Sequence, residues 1–154
     1  MNAIAKPQGC TNFKLRRLMR QVARLYDAEV ARSGIKTTQY SLLSQVAQLG
    51  PVRPVDLAQA LGVDASTLTR NLKPLIAAGW LLQTEGPDAR SRLVEITDAG
   101  RRKRSEAQRH WRIAQEKLNG LLGVERVIAL HALVDDSIAL LQPAGEAPEE
   151  ELDV

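Results

Sequence analysis

Three residues, Gly62-Val63-Asp64, separate two short segments with helical spacing, and this junction limits the fold more than any other part of the chain. Pro54 is suited to the first turn of the earlier segment, and Gly62 to its end. Asp64 is a natural N-cap for the next helix, which we predict from Ala65 to Ala78. Two helices joined by so short a glycine-containing turn are typical of a helix-turn-helix motif.

The second helix of such a motif enters the major groove of DNA with its N-terminal residues facing the bases. Hydroxyl groups there can bind bases and phosphates, and an arginine can pair bidentately with guanine. A capped surface helix also carries Ser and Thr, so it is the turn before this helix and the hairpin after it that favour DNA contact. The opposite face is predicted to lie in the core and consists of Leu68, Leu72, Leu75 and Ile76. The predicted DNA contacts of this helix are Ser66, Thr67, Thr69, Arg70 and Lys73.

After Trp80 the apolar spacing changes from helical to alternating. WLLQTE and RLVEIT are predicted strands, and the turn cluster GPDARS between them indicates a β-hairpin. A wing in this position reaches the minor groove, whose negative potential attracts a guanidinium such as that of Arg90. Asp88 can hold Arg90 by a charge-assisted hydrogen bond. The predicted DNA contacts of the wing are Asp88, Arg90 and Arg92.

Four further helical segments are predicted around this unit, so the fold class is mainly α with a small β-hairpin wing. The first runs from Thr11 to about Arg32, and its stripe contains Phe13, Leu18, Val22, Leu25 and Glu29. Thr37 or Thr38 is the predicted cap of the second, which Gly50-Pro51 stops. Thr97 or Asp98 is the predicted cap of a long polar helix that reaches about Leu121, with Gly120 and Gly123 around a break. The last runs from Val124 to Leu141, and its stripe contains Val127, Leu130, Val134, Ile138 and Leu141.

The charge distribution also favours a polyanionic partner. The formal net charge is +3, but five acidic residues lie after Pro143. Residues 1–142 contain all 21 bases and 13 of the 18 acids, a charge of +8. Double-stranded DNA fits such a surface, although a solvated basic surface is equally compatible with it. The same alternatives hold for the basic run Arg101 to Arg104, which phosphates near the wing could contact.

Several classes of function are excluded by the residue inventory. There are two histidines and one cysteine, no metal-ligand spacing, no glycine-rich phosphate loop and no nucleophile motif. We therefore expect no enzyme, no metal and no cofactor. No apolar run is long enough to cross a membrane and no secretory leader is present, so a cytoplasmic location is expected.

The segments LTRNLKPLIAAGWL and GPDARSRLVEITDAG resemble the MarR family of bacterial transcription regulators, and the resemblance extends over about residues 12–141. It implies a winged helix-turn-helix attached to a helical dimerisation region, and a homodimer on a pseudo-palindromic operator. The implied protein is a regulator, expected to be a repressor, that a small-molecule effector or an oxidant releases. Ala89 stands where the family often has arginine, and Arg92 where it has an apolar residue.

The expected domain organisation follows. Residues 1–10 form a flexible arm, 11–34 and 98–142 the dimerisation region, 35–97 the DNA-binding domain, and 143–154 a disordered acidic tail. The expected effector is a small molecule such as an anionic aromatic compound, and its candidate contacts are Arg16, Arg17, Arg20, Tyr40, His110 and Trp111.

Two alternative functions remain open. One is redox sensing through Cys10, whose thiol lies near basic residues. In peroxide-sensing relatives, however, the reactive position corresponds to Asn12, and one of the two partner tyrosines corresponds to Arg16. The other alternative is a winged helix that binds protein, which would not need Arg70 and Arg90 on its exposed edge.

Overall fold

The computed structural model describes residues 6–88 and 91–141, which form six α-helices and one β-hairpin. The predicted fold class, mainly helical with a small wing, is confirmed. In chain order the elements are α1 (Thr11–Val30), α2 (Thr37–Leu49), α3 (Pro54–Ala60), α4 (Ala65–Ala77), β1 (Leu81–Glu85), β2 (Arg92–Ile96), α5 (Asp98–Leu122) and α6 (Val124–Leu141). No helix in the described part of the chain has both the length and the apolar composition to cross a membrane.

The start of α2 differs from the sequence prediction, because the N-cap is Lys36 and not Thr37 or Thr38. The side-chain oxygen of Gln39 accepts a 2.9 Å hydrogen bond from the Lys36 N–H, which is a reciprocal contact from inside the first turn. Thr37 is already helical, and its hydroxyl donates to Asp27 of α1 at 2.6 Å. The threonine therefore connects two helices instead of capping one.

The predicted break at the end of α5 is confirmed only at Gly123. The helix continues through Gly120 to Leu122, and Gly123 then has a φ of 84° with its N–H donating to Asn119 O at 2.8 Å. That left-handed conformation suits glycine and ends the helix, whereas Gly120 is tolerated inside it. At the other end, Thr97 caps α5 by accepting a 3.0 Å hydrogen bond from Gly100 N–H.

The main core lies in the winged helix-turn-helix unit, with α2 packed between α5 and the hairpin. The strands pair antiparallel, with Leu81 opposite Ile96 and Glu85 opposite Arg92. Val52, in the loop before α3, adds an isolated bridge to Val94 through hydrogen bonds of 2.8 and 3.1 Å. The largest fully buried side chains are Val30, Tyr40, Leu43, Val46, Leu57, Leu68, Leu75, Leu81 and Val94.

By contrast, α6 and the first half of α1 leave most of their apolar side chains at the surface. Every residue from Thr11 to Arg20 is exposed, including Met19 at 70%. In α6 only Val127 is buried, and the exposed fraction rises from 39% at Val134 to 82% at Leu141. Each of these two segments exposes several large apolar side chains of the single chain, which is unusual for a monomeric soluble protein.

Candidate nucleic-acid interface

The N-terminus of α4 is organised by Asp64, as predicted. Its carboxylate accepts hydrogen bonds from the Ser66 hydroxyl at 2.6 Å, the Thr67 N–H at 2.7 Å and the Thr67 hydroxyl at 2.7 Å. These bonds hold the pKa of Asp64 well below its ordinary value, and the bond from the Ser66 hydroxyl has the largest effect. Both hydroxyls donate their protons to Asp64, so toward a ligand they act as acceptors. Acceptors suit the amino groups of cytosine and adenine better than phosphate.

The other predicted contacts of α4 are exposed. The Thr69 hydroxyl donates to Ala65 O at 2.8 Å, one turn earlier. Arg70 and Lys73 are exposed. On the opposite face, Leu68, Leu72 and Leu75 are buried, and Ile76 packs against them, so the predicted core face is confirmed.

Arg70 also borders a shallow cleft between α4 and the start of α2. The cleft has a volume of about 230 Å³ and includes the side chain of Lys36, so two cations lie at its edge. Its remaining lining residues are Thr38, Gln39, Leu42, Asn71 and Pro74. The N-terminus of α2 thus adds positive charge beside the predicted recognition helix.

The turn before α4 has the geometry of a helix-turn-helix. Gly62 has a φ of 62°, and the Val63 N–H donates to Ala58 O at 3.0 Å, which closes the end of α3. The left-handed glycine reverses the chain within three residues. As a result α4 begins immediately at Ala65, with one face against α3 and the core.

The hairpin extends beyond α4 as a two-stranded wing. At its turn the Ser91 N–H donates to Asp88 O at 2.9 Å, and the Gly86 N–H donates to Ser91 O at 2.8 Å. Asp88 and Arg92 are exposed. Ala89 and Arg90 lie outside the described residues, so the contact of Arg90 with DNA and its bond to Asp88 stay predictions.

The basic run at the start of α5 divides into two pairs. Arg101 and Arg102 are exposed. Lys103 donates to Ser33 O at 3.0 Å and to Glu106 at 2.7 Å, and Arg104 donates to the Ser44 hydroxyl at 3.1 Å. The first pair is therefore more accessible to phosphates, while the second pair holds α5 against neighbouring elements.

The six candidate effector contacts lie in three different surroundings. The arginines are exposed on the first half of α1: Arg16, Arg17 and Arg20. Tyr40 is 1% exposed and belongs to the core, and burial raises its pKa. The His110 Nδ1 atom lies 3.3 Å from Glu29, and the Trp111 ring stacks obliquely on Tyr26 with 5.7 Å between ring centres. Tyr40 is thus a core aromatic, while His110 and Trp111 join α5 to α1.

A buried glutamate with three basic neighbours at the same α1–α5 contact was missed as a site by the sequence reasoning. The Glu29 carboxylate is within 2.6 Å of Lys117, 3.2 Å of Arg32 and 3.3 Å of His110. The hydrogen bonds from Lys117 and then His110 lower the pKa of Glu29 against the opposing effect of burial. The available signal was a glutamate at an apolar position of the first helical stripe, because a buried carboxylate needs hydrogen-bonding or cationic partners.

Cys10, the redox candidate, is the N-cap residue of α1 and is exposed. Its carbonyl accepts a 3.1 Å hydrogen bond from Lys14 N–H. The described residues contain no second cysteine.

Comparison with known proteins agrees with this geometry. The sequence profile of the MarR family matches residues 33–91, which contain α2, α3, α4 and the start of the wing. The multiple antibiotic resistance protein MarR of Salmonella typhimurium is 35% identical over 78 residues, covering 50% of this chain and 54% of that protein. The chain belongs to the MarR family. The matched region spans about half the length of the Salmonella protein.

Two solved structures of DNA complexes extend the likeness beyond the matched profile. A mutant of MarR from Escherichia coli, complexed with operator DNA, has a TM-score of 0.72 at 26% identity, covering 81% of this chain and 94% of that one. The transcriptional regulator MOSR of Mycobacterium tuberculosis, also in complex with DNA, has a TM-score of 0.64 at 31% identity, covering 84% and 98% respectively. The winged helix fold of this MarR family member is therefore shared with solved relatives over more of the chain than the residues 33–91 that the family profile matches.

Proposed function

We propose that this protein is a DNA-binding transcription regulator that reads a pseudo-palindromic operator as a homodimer. The observation that carries the proposal is the geometry of α4. Its core face is buried, while Arg70 and Lys73 are exposed beside the capped N-terminus, as a helix in the major groove requires. Residues 35–97 would form the DNA-binding domain. Relatives solved with DNA support this role, which implies a cytoplasmic location.

Ser66, Thr67 and Thr69 would face base edges, and Arg70 would read guanine. Lys73 would neutralise phosphates, and Lys36, beside the same cleft, adds charge to that surface. The wing residues Asp88, Arg90 and Arg92 would lie along the adjacent minor groove.

The dimer would be formed by residues 11–34 and 98–142, above all by α1 and α6. A second copy of the chain covers the exposed stripe of α6 by two-fold symmetry, which one chain alone does not do. Each leucine or isoleucine buried in this way contributes about 1.5–3 kcal/mol. The same symmetry sets two recognition helices about 34 Å apart, one turn of DNA.

As a repressor, the protein would leave its operator when a small molecule binds between the dimerisation and DNA-binding regions. An anionic aromatic effector fits the three exposed arginines of α1: Arg16, Arg17 and Arg20. Arg16 and Arg20 are one turn apart and so share a helix face. Tyr40 is buried in the core, and His110 and Trp111 lie at the contact between α5 and α1, so the exposed arginines carry this part of the proposal.

In-vitro selection from random duplex DNA tests the proposal. We expect enrichment of an inverted repeat whose half-site centres are about 10 base pairs apart. Arg70→Ala should relax the base preference within each enriched half-site, whereas replacement of Arg109, an exposed arginine of α5, by alanine should not. Failure of the unmodified protein to enrich any sequence would refute DNA recognition and favour a protein-binding winged helix.

A further inference from the structure

Three segments of the chain meet at the side chain of Lys103. Its ammonium group donates to Ser33 O at 3.0 Å and to Glu106 at 2.7 Å. It also lies 5.7 Å from the centre of the Trp80 ring, within the range of a cation–π interaction. The side chain is only 23% exposed. Lys103 therefore makes directed contacts with three partners and is not a freely solvated surface cation.

The three segments have different roles. Ser33 ends the 3-10 turn that follows α1, and its carbonyl lies at the negative end of that helical segment, where a cation is favoured. Trp80 lies three residues after the end of α4, and its N–H closes the helix by donating to Leu75 O at 3.0 Å. Lys103 itself lies in the second turn of α5. Its side chain thus connects the end of the recognition helix with both long helices of the proposed dimerisation region.

The backbone beside this contact is also tightly fitted. The Thr97 N–H donates to Trp80 O at 3.0 Å, and the Thr97 hydroxyl donates to Gly79 O at 2.7 Å. A Cβ atom at Gly100 would collide with the Trp80 carbonyl oxygen. The end of α4 and the start of α5 therefore meet without a flexible spacer, and Lys103 extends this junction to α1.

We propose that Lys103 is a positioning residue that sets the separation and angle of the two recognition helices, and with them the spacing of the two half-sites. The inference rests on the proposed DNA-binding dimer. Any rotation of α4 against α1 and α5 acts on both subunits of a two-fold dimer. One extra base pair shifts a half-site by about 3.4 Å and about 35°. A junction held by three directed contacts resists the movement of α4 that such a displaced half-site would require. A junction without the Lys103 contacts can adopt it.

A direct phosphate contact by Lys103 is the alternative, and salt dependence separates the two roles. A side chain that neutralises one phosphate contributes about 0.9 to the slope of log affinity against log salt. A positioning residue contributes nothing to that slope, because it changes geometry and not the number of neutralised phosphates. Arg102, the exposed neighbour on the same helix, is the matched control for loss of one positive charge.

The experiment compares the unmodified protein with Lys103→Met, Lys103→Arg and Arg102→Met on the selected operator and on operators one base pair longer or shorter between half-sites. The unmodified protein and Lys103→Arg should lose about tenfold or more in affinity for the altered spacings, since both half-sites no longer bind together. Lys103→Met should keep its half-site preference and its salt slope but lose most of this discrimination. Arg102→Met should keep the discrimination. An unchanged spacing preference in Lys103→Met, or a salt slope reduced by about one phosphate contact, would overturn the proposal.

A second measurement needs no DNA. Spin labels on Gln59→Cys, an exposed position of α3, in a Cys10→Ser background report the distance between the two DNA-binding units of the dimer. The distribution should be narrow in the unmodified background and broad after Lys103→Met. If Lys103→Met does not fold, Trp80→Leu is the second variant. It removes the cation–π contact and should also broaden the distance distribution. Distance distributions of equal width in the unmodified background and in a folded variant would refute the positioning role. If the selection from random DNA enriches no sequence, DNA binding is refuted, but the distances can still be measured.

Discussion

The ammonium group of Lys117 lies 2.6 Å from the buried carboxylate of Glu29 and joins the last third of α5 to the end of α1. His110, two helical turns earlier on α5, approaches the same carboxylate at 3.3 Å. Two nitrogen-bearing side chains of one helix thus converge on one carboxylate of the other. This contact fixes the packing of α5 against α1 within the proposed dimerisation region.

Glu29→Gln should lower the thermal midpoint and flatten its dependence on acid pH. The folded state lowers the Glu29 pKa from an ordinary value of 4.5, so its contribution is fully present above that pH and is lost as pH falls through the folded-state pKa. Thermal unfolding between about pH 3 and pH 7 checks this, with Glu116→Gln on the exposed side of α5 as control. An equally steep acid loss in Glu29→Gln would contradict the assignment.

Gly100→Ala should destabilise the junction between α4 and α5. The new Cβ atom would meet the Trp80 carbonyl oxygen, and overpacking of this kind costs about 1–3 kcal/mol. Gly120→Ala is the matched control, because nothing lies within 4 Å of a Cβ at that helical position. Alanine is the better helix former, so Gly120→Ala should stabilise the protein by up to about 1 kcal/mol. Denaturant unfolding of the two variants should therefore give changes of opposite sign.

The local signals in the sequence were sufficient for most of the fold. Asp64 as cap, the glycine turn before it and the alternating strands all act within a few residues, and each was predicted. The cap of α2 was not predicted correctly, because the Thr37 hydroxyl donates its hydrogen bond to Asp27 of another helix. The sequence predicts a break bracketed by Gly120 and Gly123, but only Gly123 ends the helix, because a single glycine inside a helix only weakens it.

The parts of the candidate site that could not be predicted depend on contacts between residues far apart in the sequence. Arg70 and Lys73 were placed at the surface by helical spacing alone, as the structure has them. Lys103, in contrast, belonged to a basic run with no sign of its bond to Ser33, which is 70 positions away along the chain. The exposure of the α1 and α6 stripes likewise depends on which other elements cover them, which no local pattern specifies.

Ile138→Asp should dissociate or unfold the proposed dimer. Ile138 is 52% exposed in the single chain, and burying such a side chain against a second copy contributes about 1.5–3 kcal/mol. An aspartate there adds the desolvation of an unpaired charge. Ala129→Asp, on the opposite side of α6, should leave the dimer intact. Light scattering separates the results, and a dimer unaffected by Ile138→Asp would exclude this face as the interface.

Cys10→Ser should leave DNA binding unchanged with and without peroxide. Cys10 is exposed at the start of α1, before the first turn. We therefore expect its oxidation to leave the recognition helix undisturbed. Fluorescence anisotropy with labelled operator checks this. Peroxide-triggered release that the serine variant abolishes would show that the protein is a redox sensor.

The central claim is that α4 reads DNA, and the affinity of Arg70→Ala for the selected operator and for single-base variants of each half-site tests it most directly. At fixed salt, the unmodified protein should prefer its operator over a variant in which the guanine of each half-site is replaced by another base. Arg70→Ala should lose about 1–3 kcal/mol of that preference. Its circular dichroism spectrum should remain that of the folded protein. Arg109→Ala should keep the full preference. An Arg70→Ala protein that binds every operator variant as the unmodified protein does would contradict the account.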